Sequence, residues 1–285
     1  MSVAPRSNMG QRRARRLLTY VLLGGFAVVF LSPILFMIVA SLKPDEDIMS
    51  QAGSWRALFP DEVGLENYHD VFERVPLDLY LFNSVLINGS IVILGLVVNS
   101  LAGYALARLR WPGRGKVLAA VLAILVIPFE AIAVPLFYQL TAMGWRDTYS
   151  VQIAPFIANP LSIYLFYSFF LGLPKSLEEA AQVDGAGSVR SFVSIVAPNS
   201  KPVFASVAIV TLLFFWGLYL WPLLMTAGPS VRPLPLGIAT FYTLPPLQWG
   251  DIMAFGVMMV APIVVVFLLF QRWFAQGVAA TGVKG

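Results

Sequence analysis

Six stretches of this chain are long and apolar enough to cross a bilayer as helices, and they leave little room for another architecture. They run over residues 17–40, 81–107, 117–140, 151–172, 201–226 and 254–275. A helix needs roughly 20 apolar residues to span the hydrocarbon core. Glu130 is the one ionisable residue that falls well inside any of the six. Charged residues make up 12% of the chain, against roughly 25% in a soluble domain, and they gather between the stretches. The pattern predicts an all-α polytopic membrane protein with six transmembrane helices.

The basic residues orient it. Arg6, Arg12, Arg13, Arg15 and Arg16 precede the first stretch, and Arg108, Arg110, Arg114 and Lys116 follow the second. Six crossings put both ends on one side, and 14 of the 19 lysines and arginines fall there. Such a bias marks the cytoplasmic side, so both termini of this multi-pass cell-membrane protein are expected in the cytoplasm. A secretory signal is disfavoured, because its apolar core is only about 7–15 residues long. The expected layout is a cytoplasmic segment at 1–16, a six-helix domain over 17–275 and a cytoplasmic tail at 276–285. Within the domain, 41–80 is an extracellular segment with nine acids and three bases. Its Trp55, Phe59 and Tyr68 give it the means to fold in part. Residues 227–253 form a second outer loop rich in proline and glycine, and 173–200 a polar cytoplasmic loop.

Several chemistries are excluded. With no cysteine there is no disulfide, zinc–thiolate or iron–sulfur site. The single histidine, His69, cannot build a metal cluster alone, and few nucleophile–base pairs remain. No catalytic residue and no metal site are expected. No G-x-x-x-x-G-K-[ST] phosphate loop occurs; Gly113-Arg114-Gly115-Lys116 lacks both the spacing and a preceding strand. The chain is therefore expected to bind no cofactor itself. The isoelectric point near 9.4 could suggest nucleic acid, but the bases flank membrane segments, so membrane lipid is the expected neighbour.

The most informative polar stretch runs from Pro174 to Pro198, PKSLEEAAQVDGAGSVRSFVSIVAP. It reads as two short helices with a break. Ser176 and Glu179 form an S-x-x-E capping box for the first. Gly185 and Gly187 can supply the positive φ that ends it. Ser188 can cap the second, whose Phe192, Ile195 and Val196 share one face. The pattern is Glu179-Ala180-Ala181, three residues, Gly185, nine residues, Ile195, two residues, Pro198. At matching spacing, this resembles the EAA loop of permease subunits of ABC importers.

Further stretches carry the resemblance along nearly the whole chain. YALARLRWPGR, from Tyr104 to Arg114, is similar to the second-to-third helix turn of carbohydrate-importer permeases. YLWPLLMT, from Tyr219 to Thr226, is similar to their fifth helix. The ending Gly282-Val283-Lys284-Gly285 resembles the tail of MalG-type subunits, within the binding-protein-dependent transport system inner-membrane component family. One departure stands out. The family usually has asparagine where Gly217 follows Trp216, which weakens the transfer of a substrate contact to that position.

The resemblance implies a type I ABC importer permease bundle with a cytoplasmic EAA coupling helix. The implied complex adds a second, unlike permease of MalF type and two ATPase subunits holding ATP and Mg. An extracellular solute-binding protein or lipoprotein would deliver the solute. That solute would be sugar-like: an oligosaccharide, monosaccharide, polyol or glycerophosphodiester. ATPase coupling would fall to Glu179, Ala180, Ala181, Asp184, Gly185, Ile195 and Pro198, with Glu179 offering its carboxylate to an arginine. The tail residues Gly282, Val283, Lys284 and Gly285 would insert between the ATPase subunits. Two other classes stay open: a secondary, ion-coupled transporter or channel, which has no need of an EAA loop, and a membrane enzyme, which has a poor inventory of reactive groups.

Glu130, Asn99, Asn159, Trp216 and Tyr219 are the candidates for a substrate path. Glu130 would cost about 2–3 kcal/mol at the bilayer centre, so it is expected to face the protein interior or water. There it either lines the path or meets backbone freed by Pro128 or Pro135. Asn83, Asn88, Asn99, Gln139, Gln152 and Asn159 either bond sugar hydroxyls or tie helices together. Trp216, Tyr219 and Trp221 either stack on a sugar ring or belong to the aromatic belt at the outer interface.

Overall fold

A computed structural model describes residues 9–183 and 185–282, and every regular element in it is helical. The chain divides into two compact units. One comprises the chain up to Arg74 with Thr243–Met258; the other comprises Val75–Tyr242 with the chain from Met259 onward.

The first unit begins with α1 (Met9–Ala40). Its large apolar side chains from Leu17 to Leu35 are exposed around the helix, as a helix apolar on every face requires lipid or another subunit around it. The outer segment then folds into α2 (Asp45–Ser50), a 3-10 turn at Trp55–Ala57 and α3 (Glu66–Arg74). Ile48 and Val71 are buried, as are Ile252 and Phe255. Buried polar groups fix the turns. Lys43, only 3% exposed, donates to Gln51 Oε1 at 3.0 Å and to the Arg56 carbonyl. The Asn67 amide donates to the carbonyls of Ser41 and Lys43 at 2.9 and 2.8 Å. Arg74 pairs with the fully buried Asp251 and also bonds Gln248 and the carbonyls of Leu244 and Pro246. A Cβ at Gly250 would overlap the Asn67 amide, so only glycine fits there.

The second unit is built around α4 (Leu77–Arg108), which starts four residues before the expected 81. It packs against the two helices of the fourth stretch and the main helix of the fifth. Three of the expected crossings are broken. The third consists of α5 (Arg114–Val126) and α6 (Phe129–Ala142), meeting at a bend of 100°. Pro128 holds Ile127 in extended conformation (φ −78°, ψ 119°), as proline does to the residue before it. Pro135 sits inside α6 without breaking it. The fourth crossing is α7 (Tyr149–Ile157) followed by α8 (Pro160–Leu171).

After the coupling stretch, which holds α9 (Ser176–Val183) and α10 (Ser188–Ser191), comes the fifth. It is not the single helix expected over 201–226. Helix α11 (Lys201–Trp216) stops at Gly217, and α12 (Leu220–Met225) restarts after Tyr219. The outer loop contains α13 (Leu234–Phe241). Finally α14 (Trp249–Gly282) passes Pro262 without a break and extends beyond the expected 254–275, taking up positions assigned to a tail. Its first turn carries Asp251, which the sequence places in a loop. Among the described residues, five helical stretches are long and apolar enough to cross a bilayer. The α5–α6 pair makes a sixth if its two arms form one span.

Close packing holds α4 to α8. A Cβ at Gly103 would stand 2.6 Å from Phe166 Cβ and 2.9 Å from the Tyr167 nitrogen, so the absence of a side chain sets the approach. Around this contact, Tyr104, Ala107, Phe166, Phe170, Phe192, Val196, Val203 and Val207 form one buried cluster. A second, around Ile87, Val151, Phe156, Phe215 and Trp221, packs Phe129 against it.

Candidate functional site

The coupling stretch folds as two helices with a break, but its caps differ in detail from those expected. The Glu179 N–H bonds the Lys175 carbonyl at 3.0 Å, so α9 begins one residue early and Ser176 lies inside it. At the second start Gly187 occupies the cap, with φ −72°, and Ser188 is the first helical residue. Gly185 does take positive φ, 77°, and the Ala186 N–H returns to the Ala181 carbonyl at 2.9 Å. This is the left-handed turn that satisfies orphan carbonyls at a helix end. From Phe192 to Val196 the backbone widens into a π-helical turn, and Pro198–Ser200 forms a 3-10 turn. Phe192 and Val196 are buried and Ile195 half-buried, while Pro198 is exposed. Asp184 lies outside the described residues, as do Val283, Lys284 and Gly285 of the expected tail; Gly282 ends α14.

The two adjacent glutamates divide their roles. Glu179 is exposed, whereas Glu178 is buried. Glu178 Oε2 lies 2.7 Å from Arg108 Nε, with side chains only 11% and 5% exposed. The same guanidinium donates to the carbonyls of Leu173 and Pro174 at 3.1 and 3.3 Å. The Tyr104 hydroxyl interacts with the Glu178 carboxylate. Sequence reasoning missed Glu178 and treated Arg108 only as a marker of orientation. The available signal was an acid beside Glu179 on so short a helix, since an amphipathic helix turns one of two neighbours inward. Around Glu179 the stretch presents apolar side chains outward: Val183, Val189 and Val193 are all exposed, Val183 by 89%.

The candidate path residues are not brought together as one lining. Asn99 is buried; its Nδ2 donates to the Ile157 carbonyl at 3.0 Å and its Oδ1 accepts the Asn159 N–H at 2.9 Å. Asn159 caps α8, accepting the Ser162 N–H at 3.0 Å. Trp216 is buried and its indole N–H donates to the Met259 carbonyl at 3.0 Å. Trp221, fully buried, donates to Val151 at 2.9 Å, which takes it out of both the sugar-stacking and the aromatic-belt readings. Asn83 likewise ties α4 to the outer loop through the Ser230 and Arg232 carbonyls and to Tyr149. Tyr219 and Glu130 are exposed on this chain. Glu130 stands in the first turn of α6, at the surface of the bend rather than in the interior, where the helix dipole favours its charge.

Residues 92–280 match the family model described as "Binding-protein-dependent transport system inner membrane component". The chain is 36% identical over 279 residues to the arabinooligosaccharides transport system permease protein AraQ of Halalkalibacterium halodurans, covering 96% of this chain and all of that one. It is 32% identical to the trehalose/maltose transport system permease protein MalG of Thermococcus litoralis, over 91% of this chain and 93% of that one. It is also 32% identical to the trehalose transport system permease protein SugB of Mycobacterium tuberculosis, over 97% and 100%. In fold it is similar to a chain from the crystal structure of a bacterial ABC transporter involved in alginate import. The TM-score is 0.81 at 21% identity, over 95% of this chain and all of the other.

Proposed function

This chain belongs to the binding-protein-dependent transport system inner membrane component family, and on that footing we propose that it is the permease subunit of an ATP-driven importer of a sugar or sugar-like solute. The observation that carries the coupling role is the exposed Glu179 on α9, next to a buried and paired Glu178. One glutamate fastens the coupling helix to the bundle, and the other is left for a partner. Exposed Val183, Val189 and Val193 add an apolar surface of the kind a protein partner covers. The chain has no phosphate loop of its own, so ATP and Mg belong to separate ATPase subunits.

The proposed assembly is this chain, a second permease of MalF type, two ATPase subunits and an extracellular solute-binding protein, with both termini of the permease in the cytoplasm. Glu179, Ala180, Asp184, Gly185, Ile195 and Pro198 form the ATPase contact, and Gly282–Gly285 a second one, whereas Ala181 is buried within this chain. The names of the relatives support a saccharide as solute. Glu130 and Tyr219, exposed on this chain, remain candidates for the path; Asn99, Asn159 and Trp216 serve the fold.

The test is to purify the tagged chain from membranes with its co-encoded subunits and reconstitute them in proteoliposomes. Uptake of labelled oligosaccharides should require both ATP and the binding protein. Uptake that proceeds without ATP, driven by an ion gradient, would overturn the reading.

A further inference from the structure

We propose that one turn of α4, from Tyr104 to Arg108, receives the movement of the coupling stretch and passes it into the membrane. This rests on the permease reading above and names the residues that transmit within it. Two independent contacts meet on that turn. Arg108 holds α9 through the Glu178 carboxylate at 2.7 Å and through the Leu173 and Pro174 carbonyls. Tyr104 holds the following helix: its ring centroid lies 5.1 Å from that of Phe192 and 6.3 Å from that of Phe170 on α8. Tyr104 also lies close enough to Glu178 to feel its charge.

Residues four apart on a helix lie on one face, one turn above the other. Tyr104 and Arg108 are so spaced, and between them they fasten both halves of a stretch whose break at Gly185 would otherwise let the halves move apart. The fastening resists slippage. Shifting α9 along α4 would separate a nearly buried ion pair and leave both charges without partners, and such a pair is costly to break. The guanidinium also bonds backbone on the loop leading into α9, so the planar fork fixes direction as well as distance.

The next step is equally stiff. Gly103, one residue before Tyr104, rests directly on Phe166 and the Tyr167 backbone. A displacement that reaches α4 therefore passes on to α8 with no flexible side chain between the two helices. Interiors packed this closely shift as bodies rather than deform. Tyr104, Arg108, Glu178 and Phe192 are positioning residues in this scheme: they do not touch solute or nucleotide.

The test uses the complete importer in proteoliposomes and reads solute moved per ATP hydrolysed, alongside retention of the ATPase on purification. Wild type must first show ATP-driven uptake; its absence would strike the permease reading itself. Glu178→Gln and Arg108→Gln should each lower the ratio by about two- to thirty-fold while the ATPase stays bound. The double variant should be no worse than the worse single one, because the two residues form one link. Arg108→Lys should recover part of the ratio. Tyr104→Phe and Phe192→Leu, which keep the core filled, should lower it less and leave assembly intact; they decide the matter if a charge variant fails to accumulate. An unchanged ratio in these mild variants, or loss of the ATPase in place of loss of coupling, would overturn the proposal.

Discussion

Asn99 accepts the Asn159 N–H at 2.9 Å and donates to the Ile157 carbonyl at 3.0 Å, so a side chain on α4 completes the backbone of a break between α7 and α8. Hydrocarbon supplies neither bond, which makes the amide structural at this position. Asn99→Leu should leave two main-chain groups unpaired, at about 1–3 kcal/mol each. The thermal midpoint of the purified complex should fall while the apparent affinity for solute holds. A large change in affinity with unaltered stability would return Asn99 to the substrate path.

Gly103→Ala places a methyl 2.6 Å from Phe166 Cβ. Both helices would have to separate, at a cost of about 1–3 kcal/mol. The expected result is less assembled complex and a lower midpoint, with no relief from Phe166→Ala, because alanine keeps the Cβ that the new methyl meets. An alanine variant as stable as wild type would mean that α4 and α8 are not held at this distance.

Glu179→Ala should weaken association with the ATPase by about 2–5 kcal/mol if the carboxylate is buried against an arginine there. Gly185→Val meets open space but must adopt φ near 77°, at about 1–2 kcal/mol. Both should reduce ATP-driven uptake, and a charge exchange between Glu179 and its arginine should restore part of it. Normal uptake by both single variants would remove the coupling role from this stretch.

Arg74→Gln would leave Asp251 buried without its guanidinium. Removing one member of such a pair costs about 3–5 kcal/mol. Limited proteolysis of intact cells should then cut the outer segment 41–74 faster. Replacing the pair together, Arg74→Met with Asp251→Leu, should regain most of the resistance, because no unpaired charge is left. Equal cleavage of all three proteins would show that the pair does not hold the segment.

The native chain has no cysteine, so single introduced thiols report orientation without background. Asp61 and Ser188 are both exposed. An impermeant thiol reagent applied to intact cells should label Asp61→Cys and spare Ser188→Cys. The reverse pattern would invert the assignment of both termini.

The crossings and the two-helix form of the coupling stretch were legible because each depends on local properties of the chain: apolar length and a glycine placed to turn. Pro128 is a local signal of the same kind, since proline holds the residue before it extended. The interruption at Gly217 was harder to see, since one glycine in an apolar run rarely ends a helix without help from its surroundings. Pairings across the fold were out of reach. Arg74 and Asp251 stand 177 positions apart, and Glu178 and Arg108 stand 70 apart; no periodicity links either pair. The same limit applied to the asparagines, whose type is compatible with sugar recognition and with helix ties. Only their partners decide between the two.

The corner at Ile127–Pro128 has a consequence for where the membrane's oil cannot be. At that bend α5 ends and α6 begins, and helix ends lack intrahelical partners for their closing carbonyls and opening amides. Acyl chains have nothing to offer a dipole. The corner also carries Glu130, and Val126 beside it is 80% exposed. A right-angled backbone that holds a carboxylate at its apex is wet or covered by another polypeptide, so it marks the side of the chain turned away from lipid.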